Sequence, residues 1–445
     1  MALSWGTPGT RGRAEADQDG PPGVGGVTVP PPAGAALPGR PTSRFRRARA
    51  GAAALGPAFV AAVAYVDPGN VATSAAAGAH YGYLLVWVVV VANVMAGLVQ
   101  YLSAKLGLVT GRTLPELLGE RLGRGARLAY WAQAELVAAA TDLAEVLGGA
   151  IALRVLFGLP SLVGAVVVGV VSTVLLLTQD NGGQRRFERL VIGLLVVVAV
   201  GFVAGLVVAP PSASATIAGL VPRFADSGSV LLATGIVGAT VMPHAIYLHS
   251  ALSRDRFGRP ATTGARARLL SATRVDVVVA MTLAGLVNVA MLLLGASALA
   301  GAPVDSIDDV HTALGGTLGG AVAVLFAVGL LASGLASTSV GCYAGSVVMA
   351  GLLRRRVPVL VRRVVTVLPA LALLAAGLDP DRALVVSQVA LSFGLPFALL
   401  PLVLLTARRS VLGEHANRRA TTVCAVLVTA AVIALNAVLT YLTFR

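Results

Sequence analysis

The sequence predicts an all-α polytopic membrane protein: eleven spans in a five-plus-five inverted repeat, with spans 1 and 6 unwound at their middles. Three observations carry this expectation. The 445-residue chain is 56% hydrophobic and only 12% charged, with a mean hydropathy of +0.84, whereas soluble domains carry about 25% charged residues. Its apolar residues gather into eleven stretches, comparable in length with the roughly 20 residues that cross a bilayer. Two of those stretches, five apart, are interrupted by polar, helix-breaking segments: Asp67-Pro68-Gly69-Asn70 and Met242-Pro243-His244.

The expected spans are 52–79, 83–109, 127–149, 152–178, 188–210, 229–252, 271–299, 319–351, 360–378, 383–406 and 420–441. Several exceed the minimum crossing length, so tilt is expected. Residues 51–210 form the first repeat (spans 1–5) and 229–406 the second (spans 6–10), with 407–445 as a linker and span 11. An odd number of spans per half makes the halves inverted. Residues 1–50 are rich in Gly, Pro, Arg and Ala and lack the signal-peptide pattern of basic start, short apolar run and cleavage site. They read as a disordered basic cytoplasmic tail, with Arg44, Arg46, Arg47 and Arg49 at the membrane surface.

The formal charge is +14, nearly all from arginine, and Lys105 is the only lysine. A pI near 11.0 would suit nucleic acid, but the basic residues fall in short loops, where anionic lipid and the positive-inside rule account for them. With the N-terminus cytoplasmic, the inner loops hold Lys105, Arg112, Arg121, Arg124 and Arg127, then Arg185, Arg186 and Arg189, then Arg254, Arg256, Arg259, Arg266 and Arg268. Arg354, Arg355, Arg356, Arg362 and Arg363, and finally Arg408, Arg409, Arg418 and Arg419, continue the pattern. The outer loop near 300–318 has Asp305, Asp308, Asp309 and His311 and no Lys or Arg. The expected location is the cell membrane, multi-pass, with an extracytoplasmic C-terminus. Cys342 and Cys424 both lie in apolar, buried-looking segments, too few for a disulfide framework and unlike metal ligands.

In hydrocarbon, an ionisable residue or a broken helix costs several kcal/mol unless it faces a cavity or a ligand. Breaks at corresponding places in two repeats point to a solute site at mid-membrane. Span 1 is expected to break at Pro68-Gly69, and span 6 around Gly235, Gly238 and Pro243. Two ordinary proline kinks are the alternative, but a kink carrying both Asp and Asn favours a site. Asp67 supplies the negative charge, Asn70 a carbonyl oxygen, unwinding frees main-chain carbonyls near Ala64 and Ala239, and Met242 offers a thioether. Oxygen alone would also accept magnesium or calcium; the sulfur favours a softer divalent transition metal. Packing filler is the other role open to Met242.

Span 3 carries Glu135, Asp142 and Glu145, spaced by seven and three residues and so on one helix face. Three carboxylates inside a membrane need a polar path or a bound proton, which fits a proton route; a polar clamp between helices is the alternative. His244 could face the metal or the proton route, while His80 and His311 read as loop histidines near the outer surface.

At these residues the chain resembles a bacterial member of the natural resistance-associated macrophage protein family, the proton-coupled manganese and iron transporters. Asp67-Pro68-Gly69-Asn70 matches the family's span 1 motif and Met242-Pro243-His244 its span 6 motif; the resemblance runs from about residue 52 to the end. It implies a LeuT-like fold of the APC superfamily. It also implies metal ligation by Asp67, Asn70 and Met242 with the carbonyls of Ala64 and Ala239. Gln388, within Ser387-Gln388-Val389-Ala390-Leu391-Ser392-Phe393-Gly394-Leu395-Pro396, matches the family's span 10 glutamine. Asp142 and Glu145 match the family's acidic pair in the proton route, Glu135 a further acidic position, and His244 and His249 its two histidines. The chain departs from the family in the run Ser250-Ala251-Leu252-Ser253-Arg254-Asp255-Arg256, where a Val-Gln pair is common; this run lies at the inner end of span 6, a gating region, and leaves the metal ligands untouched. Retention of Met242 argues against the relatives that take magnesium or aluminium.

The expected function is import of Mn2+, Fe2+ and similar ions, with cobalt and cadmium also fitting, coupled to H+ symport. No resident cofactor, enzymatic activity, nucleic-acid or nucleotide partner or obligate protein partner is expected; membrane lipid is. No phosphate loop supports ATP-driven transport. The rival is a proton-coupled symporter of an organic solute, such as an amino acid, on the same scaffold. A sensor would want a sizeable soluble output domain, and an enzyme a reactive cluster near a membrane face; the sequence offers neither.

Overall fold

Apolar runs that must satisfy every backbone polar group internally can do so as helices, and helix is the only regular structure among the described residues. The computed structural model describes residues 56–443 apart from 261, 303, 305 and 356. Side chains at 179–182, 359, 381–382, 385–386, 388–390, 392, 439–440 and 442–443 also fall outside the description, as does the expected tail over 1–50.

The first half runs α1 (Pro57–Val63), α2 (Pro68–Tyr81), α3 (Val86–Thr110), α4 (Leu114–Arg121), α5 (Arg124–Phe157), α6 (Ser161–Gly182) and α7 (Gln184–Val208). A short α8 (Ala213–Ala218) leads to the second: α9 (Ser227–Thr240), α10 (Pro243–Phe257), α11 (Thr263–Ala298), α12 (Ile307–Leu318), α13 (Gly320–Leu352), α14 (Val359–Ala375) and α15 (Pro380–Ala407). Then come α16 (Arg409–Leu412), a 3-10 turn (Gly413–His415) and α17 (Arg419–Thr443). Among the described residues eight helical stretches are long and apolar enough to cross a membrane, or nine if Phe393–Ala407 and Arg409–His415, bent by 73°, count as one. The difference from eleven falls at α1 and α2, with 7 and 14 residues, at α14, with 17, and at α15, which passes only with its bent continuation.

Several boundaries differ from expectation. The first break covers Ala64–Asp67, and Pro68 and Gly69 open α2; proline is tolerated in a first turn because its missing N–H is an orphan there anyway. In span 6 the helix runs through Gly235 and Gly238 to Thr240, and only Val241 and Met242 are non-helical. Gly235 serves contact instead: a β carbon there would stand 3.3 Å from Thr73 Cγ2 of α2. The α5 helix continues past the expected end at 149 to Phe157, where Gly158 at φ 67° and then Pro160 end it. Arg362 and Arg363, assigned above to an inner loop, lie within α14 and are 2% and 3% exposed. Of the two cysteines, Cys342 is buried but Cys424 is exposed on α17.

Small residues let the helices that carry the breaks approach closely. Gly78 of α2 faces the backbone of α11 at Leu292–Gly295, and Gly107 of α3 faces the Ser250 carbonyl of α10; a β carbon at either would collide with main chain. Helix α2 lies along α11 and α9, α10 along α3, α13 and α15, and α13 along α5 and α7. The two breaks thus meet in the middle of the bundle, beside α5.

Candidate metal and proton site

Each break frees a carbonyl by the same device. An α-helical carbonyl bonds the N–H four residues on. Four after Ala64 is Pro68 and four after Ala239 is Pro243, and neither has an N–H to give. The other freed carbonyls of the first break are held from outside: Asn288 of α11 donates to Tyr65 O at 2.8 Å, and Ser333 of α13 donates to Val66 O. The extended stretch is therefore pinned on two sides.

Asp67 caps α2, its Oδ1 accepting from the Asn70 N–H at 3.0 Å. The Asn70 side-chain amide also donates to Asp67 Oδ1, at 2.7 Å, and to Ala239 O, at 2.8 Å. One nitrogen thus draws an acidic oxygen of the first break and a freed carbonyl of the second to a common point. Thr240 Oγ1 donates to Asn70 Oδ1 at 3.2 Å. Met242 caps α10 in extended conformation and is fully buried, as are Asp67 and Asn70 at 1% exposure. Among the described residues no cluster of three His, Cys, Asp or Glu side chains is placed to hold a metal. The donors gathered here are of another kind: one carboxylate, one amide, main-chain carbonyls and one thioether. Gln388 lies on α15, but its side chain is outside the described residues.

The acidic residues of α5 run from this junction. A β carbon on Gly148 would collide with the Pro68 ring, so α5 touches the break directly. Glu145 accepts from Ser337 and Asp142 from Thr338, both on α13. Asp142 is also ion-paired with Arg363 at 2.5 Å, and Glu135 with Arg362 at 3.0 Å. Glu145 lies in the field of Asp142, Asp67 and Arg363, and His244 in that of Asp142. One oxygen each of Asp142 and Glu145, and both ring nitrogens of buried His244, have no hydrogen-bond partner among the described residues. Such atoms are costly in an interior, and these four belong to residues beside the junction of the two breaks. His249 is held apart from it: its Nδ1 pairs with Gln100 Oε1 at 2.6 Å, and Gln100 donates to Tyr65 OH beside the first break.

The structure therefore brings Asp67, Asn70 and Ala239 into hydrogen-bond contact, sets Glu145 and Asp142 beside them, and ties His249 to Tyr65. Sequence reasoning missed Arg362, Arg363, Ser337, Thr338, Asn288, Ser333 and Gln100. Two adjacent arginines inside the apolar stretch 360–378 were the one available signal: buried arginines require acidic partners, and α5 had three to offer.

A family model described as natural resistance-associated macrophage protein-like matches residues 58–442. The divalent metal cation transporter MntH of Mycobacterium tuberculosis is 60% identical over 390 residues, covering 87% of this chain and 91% of that one. The crystal structure of the Eremococcus coleocola manganese transporter, in complex with an aromatic bis-isothiourea compound, superposes with a TM-score of 0.82 at 31% identity, covering 89% of this chain and 87% of that one. Mhp1, a nucleobase-cation-symport-1 family transporter, shares the fold at a TM-score of 0.51 and 14% identity, over 87% and 89% of the chains. With its two broken helices, their shared carboxylate and carbonyls, and these likenesses, the chain belongs to the natural resistance-associated macrophage protein (Nramp) family.

Proposed function

We propose that this protein imports divalent transition-metal ions, manganese and iron foremost, across the cell membrane by symport with protons. The observation that carries the reading is the Asn70 amide holding Asp67 Oδ1 and Ala239 O at 2.7 and 2.8 Å. A dication replaces that nitrogen between the same two oxygens, and half a turn of the amide brings Asn70 Oδ1 in as a third. The Ala64 carbonyl, the Met242 thioether and Gln388 complete the shell. Sulfur among oxygens favours manganese and iron over calcium and magnesium.

Asp67 must be ionised to hold the metal, so arrival of the dication and departure of a proton from Asp67 are coupled. Glu145 and then Asp142, with its Arg363 partner, receive that proton. Glu135 and its Arg362 partner, and His244, extend the route; His249 and Gln100 close the inner side beneath Tyr65. The inside-negative potential adds about 2.3 kcal/mol per charge per 100 mV. In this reading α1 with α2, α14 and α15 are also spans, giving eleven; residues 51–210 and 229–406 are the inverted halves and 407–445 follows them. The basic loops left after Arg362 and Arg363 are set aside still fall on one side, which supports a cytoplasmic N-terminus and extracytoplasmic C-terminus.

The test is uptake into proteoliposomes under an acid-outside gradient, with internal manganese, calcium and pH followed together. Manganese entry with internal acidification, abolished in Asp67→Ala, is expected; Met242→Ala should transport manganese with its preference over calcium lost. No manganese flux through correctly inserted protein overturns the reading in favour of an organic solute.

A further inference from the structure

Away from the metal site, the C-terminal end of α3, the first turns of α11 and the segment 413–421 line a half-open cavity of about 500 Å³. Lys105, Arg274, Arg418, His415, Tyr101 and Glu414 line it. Among the described residues none of its lysine and arginine side chains is ion-paired. Lys105 is only 8% exposed, yet its one hydrogen bond among the described residues goes to a neutral group, Asn417 Oδ1, at 2.9 Å. Arg274 stands over the Tyr101 ring, 5.3 Å from its centroid, and donates to the Tyr101 hydroxyl at 3.4 Å; no acidic partner holds it among the described residues. His415 Nε2 is enclosed, again without a partner among those residues. Glu414 is the one carboxylate in the lining, and an adjoining cleft of about 600 Å³ that shares Glu414 and Arg418 adds Arg409. An enclosed cation such as Lys105, paired only with a neutral group, is costly, and the exposed guanidinium groups of Arg274 and Arg418 add positive charge at the cavity's open side, so the lining suits an anion.

The helix faces show which anion. On α3, Lys105, Tyr101 and Val94 lie four and seven residues apart, on one face, and Val94 is 70% exposed. On α11, Arg274 and Val278 are four apart and Val278 is 58% exposed. Each cationic face therefore continues toward mid-membrane as an exposed apolar strip. We propose that this cavity binds the phosphate of an anionic phospholipid between Lys105 and Arg274, with an acyl chain along Val94 and Val278. A free phosphate shares the headgroup chemistry but has no use for the strip.

The test is native mass spectrometry of the full-length protein in detergent, offered equal amounts of dioleoyl phosphatidylglycerol and dioleoyl phosphatidylcholine. One phosphatidylglycerol should be retained with a preference of about tenfold or more. Arg274→Gln, at an exposed position that spares folding, should lower that preference severalfold, and Lys105→Met further, while Arg189→Gln, at an exposed position of α7, leaves it unchanged. Equal retention of the two lipids, an equal loss in Arg189→Gln, or displacement of the lipid by millimolar inorganic phosphate overturns the proposal. The readout is independent of metal flux, so its failure and that of the transport reading are separable.

Discussion

A β carbon on Gly341 of α13 would stand 2.9 Å from Glu145 Oε2, so the glycine leaves room for a carboxylate that the proton reading requires. Gly341→Ala changes no charge and no metal ligand, and the carboxylate is the flexible end of its side chain, so the expected cost in stability is at most about 1–3 kcal/mol. Displacing the carboxylate should lower the protons moved per manganese severalfold while manganese binding stays within the wild-type range. Parallel metal and pH recordings on proteoliposomes check this, and an unchanged ratio would remove Glu145 from the route. The contrast between Asp67 and Arg363 shows which residues a sequence reveals. Asp67, Asn70 and Met242 flag themselves because their signal is local: polar side chains beside a proline in an apolar run. Arg363, Thr338 and Ser337 acquire meaning only when α13 and α14 pack on α5, nearly 200 or more residues away in sequence.

Among the elements, α4, α9 and α12 each open with a capping box. Asp226 opens α9 with a capping box, accepting the Ser229 N–H at 2.7 Å, and Tyr81 of α2 donates to the same oxygen at 2.7 Å. The Ser229 backbone bond first, then the Tyr81 hydroxyl, hold its carboxyl below the ordinary carboxylate value. A pKa lower in the folded state means stabilisation that is complete above the unfolded value, near 4, and lost as pH falls through the folded one. Asp226→Asn keeps a capping oxygen without the charge. Wild type should therefore melt above Asp226→Asn at pH 6, with the gap closing as pH drops below about 4; a gap independent of pH would show that the charge contributes nothing. Such caps make helix existence legible in sequence. Boundaries are less so: hydropathy placed a loop at 149–152, yet α5 runs on to Gly158 because nothing in that segment breaks a helix. The α9 glycines suggested an unwinding that proline alone produces.

Across the whole molecule, the two sides of the site differ in closure. Every residue from Pro243 to Ser253 is buried, and α1 is buried except at Phe59, whereas Ala72, Thr73 and Ala76 of α2 and Gly235 of α9 are half-buried. The closed side is laced together. Asp276 of α11 accepts from Gly56 N–H at 3.1 Å and Ala58 N–H at 3.0 Å, tethering the start of α1. Arg254 pairs with Glu116 of α4 at 2.5 Å, and Arg256 with Glu188 of α7 at 3.3 Å. In the proposed transport cycle α1 parts from α11 to release cargo on this side, so Asp276 would set part of the cost of opening. A hydrogen bond to a charged acceptor is worth about 1.5–3 kcal/mol, and 1.4 kcal/mol is a factor of about ten in population. Asp276→Ala, which loses both bonds, should raise the open fraction about tenfold or more. Its readout is the rate at which a membrane-impermeant thiol reagent labels Ala62→Cys, fully buried in the closed form, in a Cys424→Ser background. Faster labelling from one face alone, with Asp276→Asn intermediate because its amide oxygen still accepts, is the expected result. Equal rates in all three proteins would mean that the ion pairs of α10, rather than the tether on α1, govern opening.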